Sequence, residues 1–327
     1  MIKTSHKIFY AVSLLVINTT GLSNFPQAEL SNGSIRVQVY LPNTKTGYYR
    51  GTRFDWSGVI PSIRYGDHEY CGQWFELYSP TVHDAIMGPV EAFSPLGFEE
   101  AAQGGSFVTI GVGTLLKENK GPYSPYQYHK ILDAGSWSTK IKKDRVEFRQ
   151  ILNNPEYSYE YKKTILLNEG KPELVLLHQI KNTGRKTIET SAYDHNLFFI
   201  DRQPVGPQHV IRFTFPLVEK KEGQGMGDMT VISGNQIIVA RPFSKNEQAY
   251  TLLEGYGTSS NDYHFQIENH KTGAGITIWG DHAISKLAFW ACQTILCPEP
   301  YIELKINPGE TIDWKITYQF YTCPVQP

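Results

Sequence analysis

Hydrophobic and polar residues alternate along most of the chain, in short runs rich in β-branched and aromatic side chains. Helical periodicity is almost absent, and Gly, Pro, Asn and Asp separate the runs, which is the pattern of strands joined by turns. Strands are predicted over residues 34–41, 107–112, 145–152, 158–167, 173–182, 187–199, 210–215, 263–269, 275–279, 286–291, 301–306 and 311–321. Because no helices interrupt these strands, we predict an all-β fold, a large antiparallel β-sandwich.

The domain organisation follows from what separates the strands. No linker rich in Pro, Ser or Gly divides the chain, and the sequence shows no internal repeat. A chain of 327 residues can bury one large core without the help of disulfide bonds. The sequence therefore predicts a single β-sandwich domain over residues 29–327.

The amino terminus has a different pattern. Lys3, His6 and Lys7 precede an apolar run of ten residues, 8–17, and small and polar residues follow it. Ten residues are about half of what a membrane-spanning helix needs, which favours a secretory signal over a permanent membrane anchor. We predict that residues 1–28 are a signal peptide and that the protein is exported, to the periplasm or outside the cell. An uncleaved strand or helix at the start of the domain is the alternative.

The charge balance bears on the class of partner, and the cysteine content bears on disulfide bonds. The chain carries 31 basic and 32 acidic residues, a net charge of -1, and no run of like charge, so nucleic acid is not an expected partner. The four cysteines, Cys71, Cys292, Cys297 and Cys323, lack a C-x-x-C interval. Their spacing is compatible with free buried thiols and, in an oxidising compartment, with disulfide bonds.

Several common functional motifs are absent or incomplete. Gly111-Val112-Gly113 lacks the further glycine and the helix of a phosphate-binding loop. Neighbours in the strand-like run Asp67-His68-Glu69 point to opposite faces, so they cannot converge on one ion, and no His-Glu-x-x-His is present. We therefore predict no metal site and no nucleotide site.

Two stretches concentrate acids, histidines and aromatic rings. In TSAYDHNLFFID, residues 190–201, His195 shares a strand face with Tyr193 and Leu197. In KLAFWACQTILCPEPYIELKI, residues 286–306, Glu299 lies between two prolines in a rigid extended segment. A purely structural interpretation makes His195 a core residue and Glu299 an exposed carboxylate in a loop at the end of a strand.

These stretches resemble the galactose mutarotase-like (aldose 1-epimerase) superfamily, whose members fold as a β-supersandwich. YDHNLFFID is similar to the family's Asn-His-x-x-Phe-Asn segment and sets His195 at the catalytic histidine. NHKTGAGITIWGDHAISKLAFWACQTILCPEP resembles the late hairpin and apolar strand that end at the catalytic glutamate, here Glu299. INPGETIDWKITYQFY resembles the closing turn and last strand, so the resemblance covers mainly residues 160–321.

The resemblance implies a function as well as a fold. Interconverting the anomers of a sugar takes one base and one acid, and the resemblance implies ionised Glu299 and protonated His195 in these roles, with no cofactor. The implied partner is a small sugar or the end of a glycan, on which Trp290 could stack. Further candidates for contacts with sugar hydroxyls are Arg64, Glu99, Glu100 and Gln103.

The sequence also departs from the family. Asp194 stands where asparagine is usual, and Tyr301 follows Glu-Pro directly, without the usual long loop. The family's second histidine has no match: the nearest segment is Gly97-Phe98-Glu99-Glu100. These differences keep open a second hypothesis, an exported carbohydrate-binding protein without catalytic activity.

The signal-peptide hypothesis predicts where the mature protein begins. Because the apolar run has the length of a signal and the predicted strands start later, we expect cleavage to give an amino terminus between Gly21 and Ser31. Intact-mass analysis of protein recovered from the periplasm or the medium measures it. A soluble cytoplasmic product that retains Met1 would refute the hypothesis.

Overall fold

The computed structural model describes residues 25–220 and 223–325. Residues 1–24 of the predicted signal peptide, 1–28, therefore lie outside the described residues. The first strand begins at Gln27, two residues before the predicted start of the domain.

Strands dominate the described residues, with two short 3-10 turns at Ile200–Arg202 and Ser260–Asp262. The strands are β1 (Gln27–Ser31), β2 (Ile35–Tyr40), β3 (Val59–Tyr65), β4 (His68–Glu69), β5 (Gly88–Phe93), β6 (Ser106–Thr109), β7 (Gly113–Leu116), β8 (Ile131–Asp133), β9 (Ser136–Ile141), β10 (Arg145–Leu152), β11 (Tyr159–Leu167), β12 (Glu173–Asn182), β13 (Ile188–Leu197), β14 (His209–Phe213), β15 (Val218–Glu219), β16 (Thr230–Ser233), β17 (Gln236–Val239), β18 (Ala249–Glu254), β19 (His264–Asn269), β20 (Ala274–Gly280), β21 (Lys286–Ala291), β22 (Leu296–Ile306) and β23 (Thr311–Thr322). The all-β prediction is confirmed.

Two large antiparallel sheets form the body of the domain. The larger has ten strands in the order β16-β17-β14-β19-β20-β23-β12-β11-β10-β9, and the smaller has six in the order β15-β18-β21-β22-β13-β5. A four-stranded sheet, β1-β2-β3-β4, and a three-stranded sheet, β6-β7-β8, complete the architecture. The large antiparallel sandwich expected from the sequence is therefore present.

The two large sheets pack face to face through residues that alternate along their strands. Ile276, Ile278 and Tyr318 of the ten-stranded sheet belong to the same buried cluster as Leu287 and Phe289 of the six-stranded sheet. A second cluster, with Phe54, Trp56 and Phe107 among its members, covers the other face of the six-stranded sheet. That sheet is consequently buried on both faces, which explains the near-continuous burial of β5 and of the first half of β22.

A group of charged side chains lies within the apolar space between the sheets. Lys163 of β11 donates a hydrogen bond to Glu91 of β5, and the side chains are 0% and 1% exposed. His178 Nε2 lies 2.7 Å from the other oxygen of Glu91, and Lys163 Nζ is 3.8 Å from Asp55. Burial alone would raise the pKa of Glu91, but Lys163 and His178 lower it to about 2. Glu91 is thus a paired carboxylate that bridges the two sheets.

A second buried acid lies beside the first. Asp194 pairs with Glu91 across the β13–β5 ladder and accepts a hydrogen bond from the Tyr318 hydroxyl. Burial raises the pKa of Asp194 well above its ordinary value, and its Oδ1 has no hydrogen-bond partner among the described residues. Burial beside the ionised Glu91 therefore disfavours the charged form of Asp194.

Several observed strands, among them β1, β3, β9 and β18, were not predicted from the sequence, and β5 and β22 are the two such differences that bear on the site. Neither was predicted over its observed range, because β5 contains Gly88 and Pro89 and β22 contains Pro298 and Pro300. Glycine and proline are turn and loop signals, because an ordinary strand is expected to alternate polar and apolar residues and to donate every hydrogen bond of its ladder. Glu299 consequently lies inside a strand and is 4% exposed, not in a loop at the end of a strand.

Two further expectations concern the cysteines and the membrane. Cys71, Cys292, Cys297 and Cys323 are all free thiols. Within residues 25–220 and 223–325, no helix has the length and apolar character needed to cross a bilayer.

The buried ion pair predicts a large difference between two adjacent lysines. We expect Lys163→Met to lower the free energy of unfolding by about 3–5 kcal/mol, because it leaves the Glu91 charge buried without its main partner. The control is Lys162→Met: Lys162 is half exposed and pairs with Glu160 at 3.0 Å, so its loss should cost about 1 kcal/mol or less. Urea denaturation of both variants measures the difference, and equal losses would contradict this account.

Candidate active site

A cavity of about 490 Å³ opens on the face of the six-stranded sheet that points away from the ten-stranded sheet. Its walls combine aromatic rings with charged and polar groups. The aromatic lining residues include Trp74, Tyr123, Tyr126, Tyr193, Tyr250, Trp290 and Tyr301, and the charged or polar ones include Arg53, Asp84, His195, Gln248, Lys286 and Glu299. Among the sequence candidates, the cavity thus brings together His195, Glu299 and Trp290.

The end of the ladder between β13 and β22 creates the site. Their paired register stops at Tyr193 and Tyr301, and continuing it by two residues sets His195 opposite Glu299. Pro298 and Pro300 have no N–H to donate, so the main-chain ladder cannot continue there. Side-chain bonds replace it: the Asn196 amide donates to the Pro298 carbonyl at 2.8 Å. The prolines therefore keep β22 extended while leaving this end of it without main-chain pairing to β13.

His195 is held on both sides of its ring. Nε2 lies 3.5 Å from Glu299 Oε1, and Nδ1 lies 2.8 Å from Cys297 Sγ. The Cys297 sulfur also accepts the Asn196 N–H at 3.1 Å. Cys297 and Glu299, two apart on β22, share a face and so bracket the imidazole. Cys297 is a residue that the sequence argument did not select, because its contact with His195 spans 102 positions.

Burial controls the protonation of this pair. It raises the pKa of Glu299 to about 7, against the opposing effect of Arg53 and Lys286. It also lowers the pKa of His195 to about 3, and the positive charge of Arg53 acts in the same direction. At pH 7 the imidazole is therefore neutral and Glu299 is about half protonated, and at lower pH the proton of the pair lies on Glu299. The resemblance implied the reverse, a protonated His195 and an ionised Glu299.

Arg53 and Asp84 form an ion pair in the wall of the cavity. The Arg53 Nη1 lies 2.5 Å from Asp84 Oδ1, and its Nε and Nη2 donate to the Tyr193 hydroxyl at 3.4 and 3.3 Å. Burial would raise the pKa of Asp84, but the hydrogen bond from His83 and the charge of Arg53 lower it. The pair is ionised and places a guanidinium within reach of a ligand. An arginine among Tyr48, Tyr49, Phe54 and Trp56 was the available sequence signal for it.

Aromatic rings and one lysine complete the walls. Tyr193 and Tyr301 stack with their centroids 4.5 Å apart, and Lys286 Nζ lies 3.6 Å from the centroid of Tyr301. Trp290 meets the His195 ring edge-on at 5.5 Å and donates to Gln248 at 3.3 Å. Such flat apolar surfaces beside polar groups suit a ligand that has both kinds of face.

Four of the predicted substrate contacts lie away from this cavity. Arg64 is on β3, where it pairs with Glu69 at 2.9 Å. Glu99 and Glu100 line a separate surface groove, and Glu100 pairs with Lys186 at 2.6 Å. Gln103 donates to the Glu118 carbonyl. The structure does not bring these four residues to His195 and Glu299, because the segments that carry them lie on other sheets and loops.

His195, Cys297 and Glu299 are also metal-ligand types, with atoms within 4.8 Å of one another. The imidazole lies between the other two, however, so the sulfur and the carboxylate approach opposite ring nitrogens. Neither nitrogen faces both partners. This arrangement suits proton transfer better than the binding of a cation.

Comparison with known proteins identifies the fold. No family model matches the sequence, and no curated protein is significantly similar to it. The structure is similar to a protein from Synechocystis sp. PCC 6803, with TM-score 0.59, 14% identity and coverage of 96% of this chain and 100% of that one.

Two further similar structures are those of proteins named after galactose mutarotase or aldose epimerase. A galactose mutarotase-like protein from Lactobacillus casei ATCC 334 has TM-score 0.55, 12% identity and coverage of 90% and 100%. An aldose epimerase homologue from C. elegans has TM-score 0.56, 10% identity and coverage of 91% and 99%. The chain therefore has the galactose mutarotase-like fold, which confirms the fold implied by the sequence resemblance.

The burial of His195 predicts an unusual titration. We expect the His195 ring signals in a histidine-selective NMR spectrum to show a neutral imidazole across the neutral and mildly acidic range, with protonation only near pH 3, because burial disfavours the charged ring. The His195→Asn variant assigns the signals. Protonation near the ordinary histidine pKa of about 6.5 would contradict the buried geometry.

Proposed function

We propose that the protein interconverts the anomers of an aldose, with His195 and Glu299 as the acid–base pair. The observation that carries the proposal is the 3.5 Å contact between His195 Nε2 and Glu299 Oε1 in a cavity lined by aromatic rings. The galactose mutarotase-like fold supports the same conclusion. In its more general form, the proposal is that the ligand of the cavity is a small sugar.

The chemistry needs one transferable proton in the pair. Anomer interconversion removes the proton from the C1 hydroxyl and adds one to the ring oxygen, so one group must be protonated and the other not. With pKa values of about 7 and about 3, the two residues together hold one proton between these limits. Glu299, which holds this proton, is therefore the donor, and the neutral imidazole of His195 is the acceptor.

The reaction then balances within the pair. The unprotonated member takes the proton from O1, the C1–O1 bond becomes a carbonyl, the bond from C1 to the ring oxygen breaks, and the ring oxygen takes the proton of the other member. Rotation about the C1–C2 bond followed by the reverse steps closes the ring on the opposite face. The two oxygens are both attached to C1 and lie close together, so His195 Nε2 and Glu299 Oε1, 3.5 Å apart, can each face one of them.

The walls supply binding and orientation. Trp290 and the stacked Tyr193–Tyr301 pair offer ring faces to the apolar side of a sugar, and Arg53 and Asp84 offer donors and acceptors to its hydroxyls. Because Arg53 is held by both Asp84 and Tyr193, little conformational freedom is lost when a ligand binds.

A second candidate function is sugar binding without turnover. His195 and Glu299 are each only 4% exposed and contact one another, which is also the geometry of a satisfied polar pair in a binding pocket. We further propose that either function operates outside the cytoplasm, on the strength of the signal-like run at 8–17.

Polarimetry with matched variants separates these functions. We expect the wild type to accelerate the mutarotation of galactose or glucose above the spontaneous rate. Glu299→Gln and His195→Asn should each lower kcat by roughly 10²-fold or more, because each removes one proton carrier. The controls are Glu303→Gln, an exposed residue further along β22, and His282→Asn, outside the cavity.

The pH profile gives a second readout of the same experiment. kcat/KM should fall as the pH rises through about 7, because the pair then loses its only transferable proton. Wild-type rates in both site variants would refute the catalytic role. Sugar-dependent changes in tryptophan fluorescence that persist without any catalysis would establish the binding function.

A further inference from the structure

A second group of metal-ligand types lies on the ten-stranded sheet, outside the cavity. The side-chain ligand atoms of Glu268, His270 and Cys323 are all within 4.8 Å of one another. We call these three residues the Glu268 cluster. His270 Nε2 is 2.9 Å from Glu268 Oε2. The cluster lies on the outer face of the sheet, because Phe265 and Ile267, which alternate with Glu268 along β19, point into the core.

Three adjacent strands build the cluster. Glu268 of β19 pairs with Gly275 of β20, which pairs with Tyr321 of β23. A side chain at Gly275 would approach the Tyr321 ring to 2.4 Å, so only glycine lets this ring lie across β20. The Tyr321 hydroxyl thereby reaches Glu268 Oε1 at 2.8 Å. The row Glu268–Gly275–Tyr321 is thus a built arrangement and not a chance surface contact.

The other two ligands are also fixed by main-chain bonds. The Cys323 N–H donates to the Gly273 carbonyl at 2.8 Å, which extends the β20–β23 pairing, and Cys323 is two residues beyond Tyr321 and so shares its face. The His270 N–H donates to the Gln208 carbonyl at 2.8 Å. Both side chains are partly exposed, so an ion from solution can reach them.

The donor set selects the class of ion. One sulfur, one nitrogen and one oxygen ligand match Zn²⁺, which accepts all three, whereas Mg²⁺ and Ca²⁺ prefer oxygen alone. A thiolate and a carboxylate balance the two charges of the ion. Tyr321 on Oε1 and Arg212, 3.4 Å from Oε2, hold the carboxylate in place as outer partners. Three protein ligands leave the fourth tetrahedral position to water.

We propose that Glu268, His270 and Cys323 form a zinc site that ties the last strand, β23, to the β19–β20 hairpin. The proposal does not depend on the sugar chemistry, because the cluster shares no residue with the cavity. The two nitrogens of His195 face Cys297 and Glu299 separately, whereas the Nε2 of His270 faces Glu268 and all three ligand atoms of the cluster lie within 4.8 Å of one another.

Metal titration of the full chain tests the proposal. After treatment with a chelator, we expect the wild type to bind one Zn²⁺ with micromolar or tighter affinity in equilibrium dialysis. Co²⁺ should give the near-ultraviolet charge-transfer absorption of a metal–thiolate bond. Cys323→Ser and His270→Asn should each weaken binding by about 100-fold or more, and Tyr321→Phe, which removes only an outer partner, by about 10- to 100-fold.

The controls distinguish this cluster from the other thiols and from the cavity. Cys292→Ser and His195→Asn should leave the zinc affinity unchanged. Zinc should also raise the Tm of the wild type but not that of Cys323→Ser, because only a native-state site stabilises the fold. The proposal is wrong if no stoichiometric binding occurs, if Cys323→Ser binds like the wild type, or if binding is lost in His195→Asn instead.

Discussion

The buried pair of Lys163 and Glu91 is the interaction on which the geometry of the site depends. It joins β11 of the larger sheet to β5 of the smaller one. Glu91 lies opposite Asp194 in the ladder between β5 and β13. Because Asp194 directly precedes His195, the core network and the site occupy opposite faces of β13. Asp55, which lies 3.8 Å from Lys163, is two residues after Arg53. One set of charges in the core therefore fixes both chain segments that present Arg53 and His195 to the cavity.

The pKa values of buried carboxyl and imidazole groups differ between these two faces of β13. In the core, Lys163 and His178 compensate for burial and keep Glu91 ionised. At the site, no comparable partner compensates for the burial of Glu299 and His195, so both tend towards their neutral forms. This contrast makes the core network suited to holding strands together and the cavity pair suited to exchanging a proton. Two clusters with the same elements, carboxylate and imidazole, thus acquire different roles from the partners around them.

Local chain geometry explains where the two side-chain clusters can form. At the cavity, Pro298 and Pro300 end the β13–β22 ladder and leave side chains to make the contacts. At the Glu268 cluster, Gly275 leaves space for the Tyr321 ring to cross its strand. In both places a residue unsuited to an ordinary strand interior creates room for side-chain chemistry.

The sequence by itself determined the fold class, about half of the strands and three of the groups in the cavity, because alternation and turn residues are local and the motifs around His195 and Glu299 are short. Local patterns could not find β5 or the first half of β22, since buried strands need not alternate and their prolines resemble loop signals. Arg53, Asp84 and Cys297 meet His195 and its neighbours only through contacts between distant segments, and Arg64 and Gln103 were misplaced for the same reason. The protonation of the pair was also beyond the sequence, because the pKa values of Glu299 and His195 are set by burial, which only the packed tertiary structure decides.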